Sequence, residues 1–172
     1  LSSRGVNTEE AAEKFLNPDK SDFIDPFELY GMSDATERIN KAIALNESVL
    51  IYGDYDCDGL TATSILYSFL KGKIDKVSYY VPNRHSDGYG LHDIVVEDLT
   101  KNEGIDLVVT VDCGITSKNE VKCIKEMGID VVVTDHHEPI PELIPDAIVL
   151  NPKVDRKAFY DYCGAGVVFK LI

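Results

Sequence analysis

From Ser48 onward the chain alternates short apolar runs with helix-length segments: SVLIYG then LTATSILYSFLK, KVSYYV then HDIVVEDLTKNE, DLVVTV then SKNEVKCIKEM, and DVVVT then a proline-rich loop and AIVL. The short runs are rich in Val and Ile and nearly continuous in apolar character, as strands covered on both faces are. This βαβ rhythm predicts an α/β fold: a parallel β-sheet flanked by helices. Ahead of it, Thr8 to Phe15 predicts a short helix with Thr8 as its N-cap. After the NPDKSDFIDPF turn region, a second helix is predicted from about Ser33, again a cap residue, to Leu45. Residues 1–47 are therefore expected to be a helical lead-in and residues 48–172 the main domain.

The polar clusters fall at one kind of place. VLIYG runs into GDYDCDG, YYV into PNRHSDGYG, VVTV into DCG and VVVT into DHH, so each predicted strand delivers Asp, His or Arg to the loop beyond its carboxyl end. In a parallel sheet those ends share one edge, where open α/β folds bind ligands. Clusters far apart in sequence can thus converge on a single site.

Composition changes the picture only in part. The chain has 17 basic and 30 acidic residues, a formal charge of −13, which excludes broad, non-specific adhesion to nucleic acid. It does not exclude a nucleic-acid substrate held at a metal site, because carboxylates loaded with divalent cations attract phosphate. Cys57, Cys113, Cys123 and Cys163 are widely spaced with no CxxC pair and read as free thiols. No apolar run approaches the roughly 18 residues of a membrane span, and the N-terminal stretch is too polar for a signal peptide. A soluble, cytoplasmic protein with no membrane partner is expected. The chain opens on Leu1 and closes on GAGVVFKLI, which reads as the first turns of a helix, so a piece of a longer protein is also expected.

Asp54, Asp56 and Asp58 alternate, and on an extended stretch they would share one side while Tyr55 and Cys57 point away. Three carboxylates this close repel unless a cation neutralises them. With Asp112, His136 and His137 they make an oxygen-rich set with imidazole, suited to two Mn²⁺ or Mg²⁺ ions rather than structural zinc. An EF-hand is a poor alternative, since Ile65 stands where its bidentate Glu belongs and a strand precedes the loop. A phosphatase using Asp56 as nucleophile would leave the paired histidines idle. Arg84 is a candidate phosphate contact.

GDYDCDG, VDCGI and VTDHHEP resemble motifs I, II and III of the DHH phosphoesterases, and VPNRHSDGYGL, RGVNTEEAAEKFLNP and GAGVVFKL extend the resemblance over nearly the whole chain. It points to the branch that degrades single-stranded DNA from the 5′ end in repair and recombination. The resemblance implies two Mn²⁺ or Mg²⁺ ions, with Asp56 on one, Asp58 and His136 on the other, and Asp112 bridging. It also implies that His137 faces the scissile phosphate and Asp135 orients an imidazole. In the family's pyrophosphatase branch a His ligand occupies the position of Tyr52, which leaves Asp54 as the substitute ligand here. Arg84 resembles the family's arginine near the DNA 5′ end. A helicase and a single-strand-binding protein are the partners implied. The family's fourth motif, with one more metal-binding Asp, would lie beyond Ile172, so the site within these residues is expected to be incomplete and weakly active or inactive. The alternatives are hydrolysis of short oligonucleotides or cyclic dinucleotides, and a non-catalytic replication scaffold, which would have no need to keep so costly a cluster of like charges.

Overall fold

The structure, a computed structural model, describes residues 1–84, 88, 90–155 and 161–172. Five strands form one sheet: β1 (Val49–Tyr52), β2 (Val77–Tyr80), β3 (Leu107–Val111), β4 (Asp130–Thr134) and β5 (Ile148–Leu150). All neighbours are parallel and the order is β2-β1-β3-β4-β5. The fold expected from the apolar rhythm is therefore the one observed.

Helices cover both faces because the inner strands are apolar on both. Val49 and Ile51 of β1, with Leu107, Val109 and Val111 of β3, pack against α2 (Met32–Leu45), α3 (Cys57–Lys71) and, beyond the single turn α6 (Pro152–Asp155), α7 (Gly164–Leu171). Leu50, Tyr52, Val108 and Val133 face the opposite layer, which holds α4 (Asp93–Glu103) and α5 (Lys118–Glu126). Leu66 and Leu70 of α3 are fully buried, each stabilising the fold by about 1.5–3 kcal/mol relative to exposure. Among the described residues no helix is long and apolar enough to cross a membrane.

The lead-in begins with α1 (Glu9–Leu16), whose N-cap Thr8 accepts a hydrogen bond from the Ala11 N–H, as the sequence predicts. The turn region folds into two short 3₁₀ turns, capped by the carboxylates of Asp19 and Asp25. The second helix starts earlier than expected: α2 begins at Met32 and its cap is Gly31, not Ser33. Two constraints move the boundary. Met32 is buried, and Gly31 sits at φ 80° so close to β5 that a Cβ there would lie 1.9 Å from the Val149 carbonyl oxygen. A Ser33 cap would have left Met32 outside the helix. Arg38 of α2, nearly buried, reaches Glu47 and Asp130 at 2.7 Å each, tying the lead-in to the start of β4.

The sheet order places the topological switch between β1 and β3. From β1 the chain crosses to β2 on one side, while β3 and the later strands lie on the other, so the loops after β1 and β3 separate and open a crevice.

Gly31→Ala should destabilise the protein by about 2–4 kcal/mol, through steric overlap with β5 together with the positive φ. Urea unfolding followed by circular dichroism measures this, and a loss below about 0.5 kcal/mol would show that α2 can shift away from the sheet.

Candidate metal centre

The side chains at the crevice are set by how each strand ends. After β1 the Gly53 N–H donates to the Tyr80 carbonyl at 2.9 Å, prolonging the ladder by one step before Asp54. Asp56 then caps α3, its Oδ1 accepting from the N–H groups of Asp58 and Gly59 at 2.8 and 2.9 Å. This corrects the alternating arrangement expected for Asp54, Asp56 and Asp58. Extended backbone ends at Asp56, α3 starts at Cys57, and Asp58 lies in the first helical turn. The cap wins because two backbone donors converge on one carboxylate oxygen at the positive end of the helix.

Asp58 is turned toward α7 instead. Its Oδ2 accepts from the Gly164 N–H at 2.6 Å and its Oδ1 from the Ala165 N–H at 2.8 Å. Burial would raise this carboxyl, but those two N–H groups, the Cys163 side chain and the charge of His136 bring it below the usual carboxylate range. The contact was not legible in the sequence: GAG could be read as the start of a helix, but nothing showed that the helix docks on Asp58.

After β3, Asp112 takes the left-handed conformation at φ 61° while its N–H still donates to Thr134 O at 3.0 Å. Asp is among the few residues with a side chain that tolerates this conformation. Thr110 fixes the turn from within, its hydroxyl donating to Cys113 O at 2.8 Å. The Asp112 carboxylate is almost wholly buried, and Gly164 is packed against it so closely that a Cβ there would fall 2.5 Å from Oδ1.

After β4, Asp135 is completely buried and organises the loop. One oxygen accepts from the N–H groups of His136 and His137 at 2.7 and 3.1 Å and stands 2.8 Å from His137 Nδ1; the other accepts from the Ile115 N–H at 2.9 Å. Asp135 thus joins the β3 and β4 loops and orients one imidazole. Burial works against its charge, yet His137 and the Ile115 N–H hold it below the usual range, and the same contact raises His137. His136 Nε2 lies 3.0 Å from Asp112 Oδ1 and 3.4 Å from Asp58 Oδ2, and the Asp112 carboxylate raises its pKa.

These positions bring together two sets of atoms spaced for a cation: Asp112 with His136 and His137, and Asp54 with Asp56 and Asp112, each set within 4.8 Å. Asp112 belongs to both. Asp54 Oδ1 is buried without a well-formed side-chain hydrogen bond, Asp112 Oδ1 is buried against the His136 ring, and burial raises the pKa of both carboxyls. Buried oxygens left in this way call for a partner, and a divalent ion fits the oxygen-and-imidazole donor set. Cys113, next to Asp112, is buried and its thiol is pushed well up by that burial, so it offers no thiolate.

Arg84 is exposed at the rim, its Cζ 5.6 Å from the centre of the Tyr55 ring. His85, Ser86 and Asp87 of the same loop lie outside the described residues.

An open parallel sheet with buried carboxylates at its switch point, and two half-buried imidazoles beside them, is a framework suited to holding divalent ions. Residues 48–172 match the DHH family, N-terminal domain, and the chain belongs to that family. It is 43% identical over 173 residues to the single-stranded-DNA-specific exonuclease RecJ of Bacillus subtilis, covering 99% of this chain and 22% of that protein. Among solved structures it resembles exonuclease RecJ bound to manganese, at a TM-score of 0.76 and 36% identity over 83% of this chain and 36% of that one. It also resembles RecJ of Thermus thermophilus in complex with Mg²⁺, at a TM-score of 0.59 and 26% identity over 99% of this chain and 19% of that one. The chain spans about a fifth to a third of the length of these relatives.

The geometry sets up an opposition between stability and binding. Asp112→Asn keeps a side chain that accepts the left-handed backbone and removes a buried like charge, so the metal-free protein should melt about 3–6 °C higher. The same variant should lose the increase in Tm that Mn²⁺ gives the unsubstituted protein. Thermal unfolding with chelator and with Mn²⁺ tests both, and an unchanged Mn²⁺ response would remove Asp112 from the ion site.

Proposed function

We propose that this chain carries the metal-binding half of an exonuclease that hydrolyses single-stranded DNA from its 5′ end, with residues 48–172 as the phosphoesterase domain and residues 1–47 as its helical lead-in. The observation that carries the reading is the sharing of Asp112 between two ligand sets at the switch point. The RecJ relatives, described as single-stranded-DNA-specific, give the substrate class, and their manganese- and magnesium-bound structures give the ions.

In this reading Asp56, supported by Asp54, would hold one ion, Asp58 and His136 the other, and Asp112 would serve both. Bound ions of this kind supply an activated water and charge compensation for an in-line displacement at phosphorus. The chain's own residues do the rest. Asp135 holds the His137 ring by Nδ1, keeping it in one orientation toward the scissile phosphate. The Asp135 carboxylate raises the pKa of that imidazole, which in its protonated form supports negative charge on the phosphate or protonates the departing oxygen. Arg84 contacts a phosphate of the strand. The protein works in the cytoplasm, beside a helicase and a single-strand-binding protein that supply and cover the strand.

Digestion of end-labelled single-stranded DNA by the full-length protein carrying this chain tests the proposal. Stepwise loss from the 5′ end is expected with Mn²⁺ or Mg²⁺, none with chelator, and a fall of at least about 100-fold in Asp112→Ala. An intact strand beside cleaved dinucleotides would instead assign the site to small nucleotides.

A further inference from the structure

We infer that Tyr55 is a positioning residue for Arg84: its ring holds the guanidinium at the rim of the metal centre, where it meets a phosphate of the bound strand. The inference rests on the proposed single-strand activity and adds to it a residue outside the ligand set.

Three observations lead there. The guanidinium carbon stands 5.6 Å from the Tyr55 ring centre, inside the roughly 6 Å at which an aromatic face attracts a cation. Tyr55 lies between Asp54 and Asp56, two of the three carboxylates grouped for a cation, and the turn that carries it is fixed by the Asp56 cap on α3. Tyr52 and Tyr80 are paired in register, so the loops carrying Tyr55 and Arg84 leave adjacent strands side by side.

To these three is added the partner that Arg84 lacks. The chain has 30 acidic residues, and Arg38 pairs with two of them. Among the described residues Arg84 forms an ion pair with none, although it stands beside the turn that carries Asp54 and Asp56. A carboxylate would neutralise the guanidinium and occupy its N–H fork. A ring face steadies the cation through its quadrupole and leaves those N–H groups for a planar, two-point contact with phosphate oxygens. The ring does what a salt bridge cannot: it orients the charge without cancelling it.

The test uses Tyr55→Phe, which keeps the ring, and Tyr55→Leu, which does not. In the 172-residue chain, the Arg84 Nε–Hε proton should be shifted upfield by the ring current in the unsubstituted protein and in Tyr55→Phe, and should lose that shift in Tyr55→Leu. In the full-length protein, Tyr55→Leu should weaken binding of a 5′-phosphorylated single strand, measured by fluorescence anisotropy with Ca²⁺, by about 3- to 10-fold. Tyr55→Phe should stay within about twofold of the unsubstituted protein. In an Arg84→Ala background, Tyr55→Leu should cause no further loss, as a shared interaction requires. Mn²⁺ affinity, read from the paramagnetic resonance of the free ion, should be the same in all variants. An additive effect of the two substitutions, an unshifted Arg84 proton, or a Tyr55→Leu protein that loses Mn²⁺ would overturn the positioning role. Failure of the unsubstituted protein to bind any single strand would instead overturn the function on which the role rests.

Discussion

Like charges in a buried place must be held against their own repulsion, and the carboxyl edge of this sheet is built to do that. Asp54, Asp56 and Asp112 converge within 4.8 Å of one another, two of them almost out of contact with water. In a folded protein such convergence persists only where the surrounding structure over-determines it. Here β-ladder bonds run to Gly53, directly before Asp54, and to Asp112 itself, a helix cap fixes Asp56, and threonine hydroxyls bind the turn around Asp112. The parallel sheet is the scaffold that makes this affordable, since it brings three strand ends to one edge with apolar packing on both faces.

Much of this was legible in the sequence because parallel strands and their polar ends leave a plain pattern. Near-continuous runs such as LVVTV and DVVVT are the strands, and the Asp and His residues directly after them form the site. What escaped was everything that depends on contacts between distant segments. Period-two reasoning carried Asp58 onto an extended stretch, whereas the Asp56 carboxylate draws the backbone into a helix one residue earlier, at Cys57. The cap of α2 is a glycine rather than the serine two residues later, because β5, more than a hundred residues along the chain, presses on that position. Tyr55 looked like a residue pointing away from the site, and its ring meets Arg84 only because two neighbouring strands end together.

Four of the five acidic residues of the site fall into two pairs with environments that composition hides. Asp54 and Asp112 are buried with raised pKa values, as groups that wait for a cation are. Asp135 and Asp58 are held below the ordinary range by N–H donors, as groups that organise backbone are. A tally of negative charge treats these as equivalent, yet burial strips one pair of its solvation while the other is supplied with donors by the backbone and by imidazole.

The bond between Asp58 and the start of α7 carries a consequence for how the protein is made. The two N–H groups that Asp58 accepts lie 106 and 107 positions later in the chain. On a ribosome the first carboxylates emerge long before the helix that closes over them, at a pace that leaves the interval lasting several seconds or more. Through that interval β1 and α3 can form while the acidic edge stands open to solvent, where water screens its charges. The edge becomes dry only when Gly164 arrives against Asp112, so the repulsion is imposed last, on a sheet already complete.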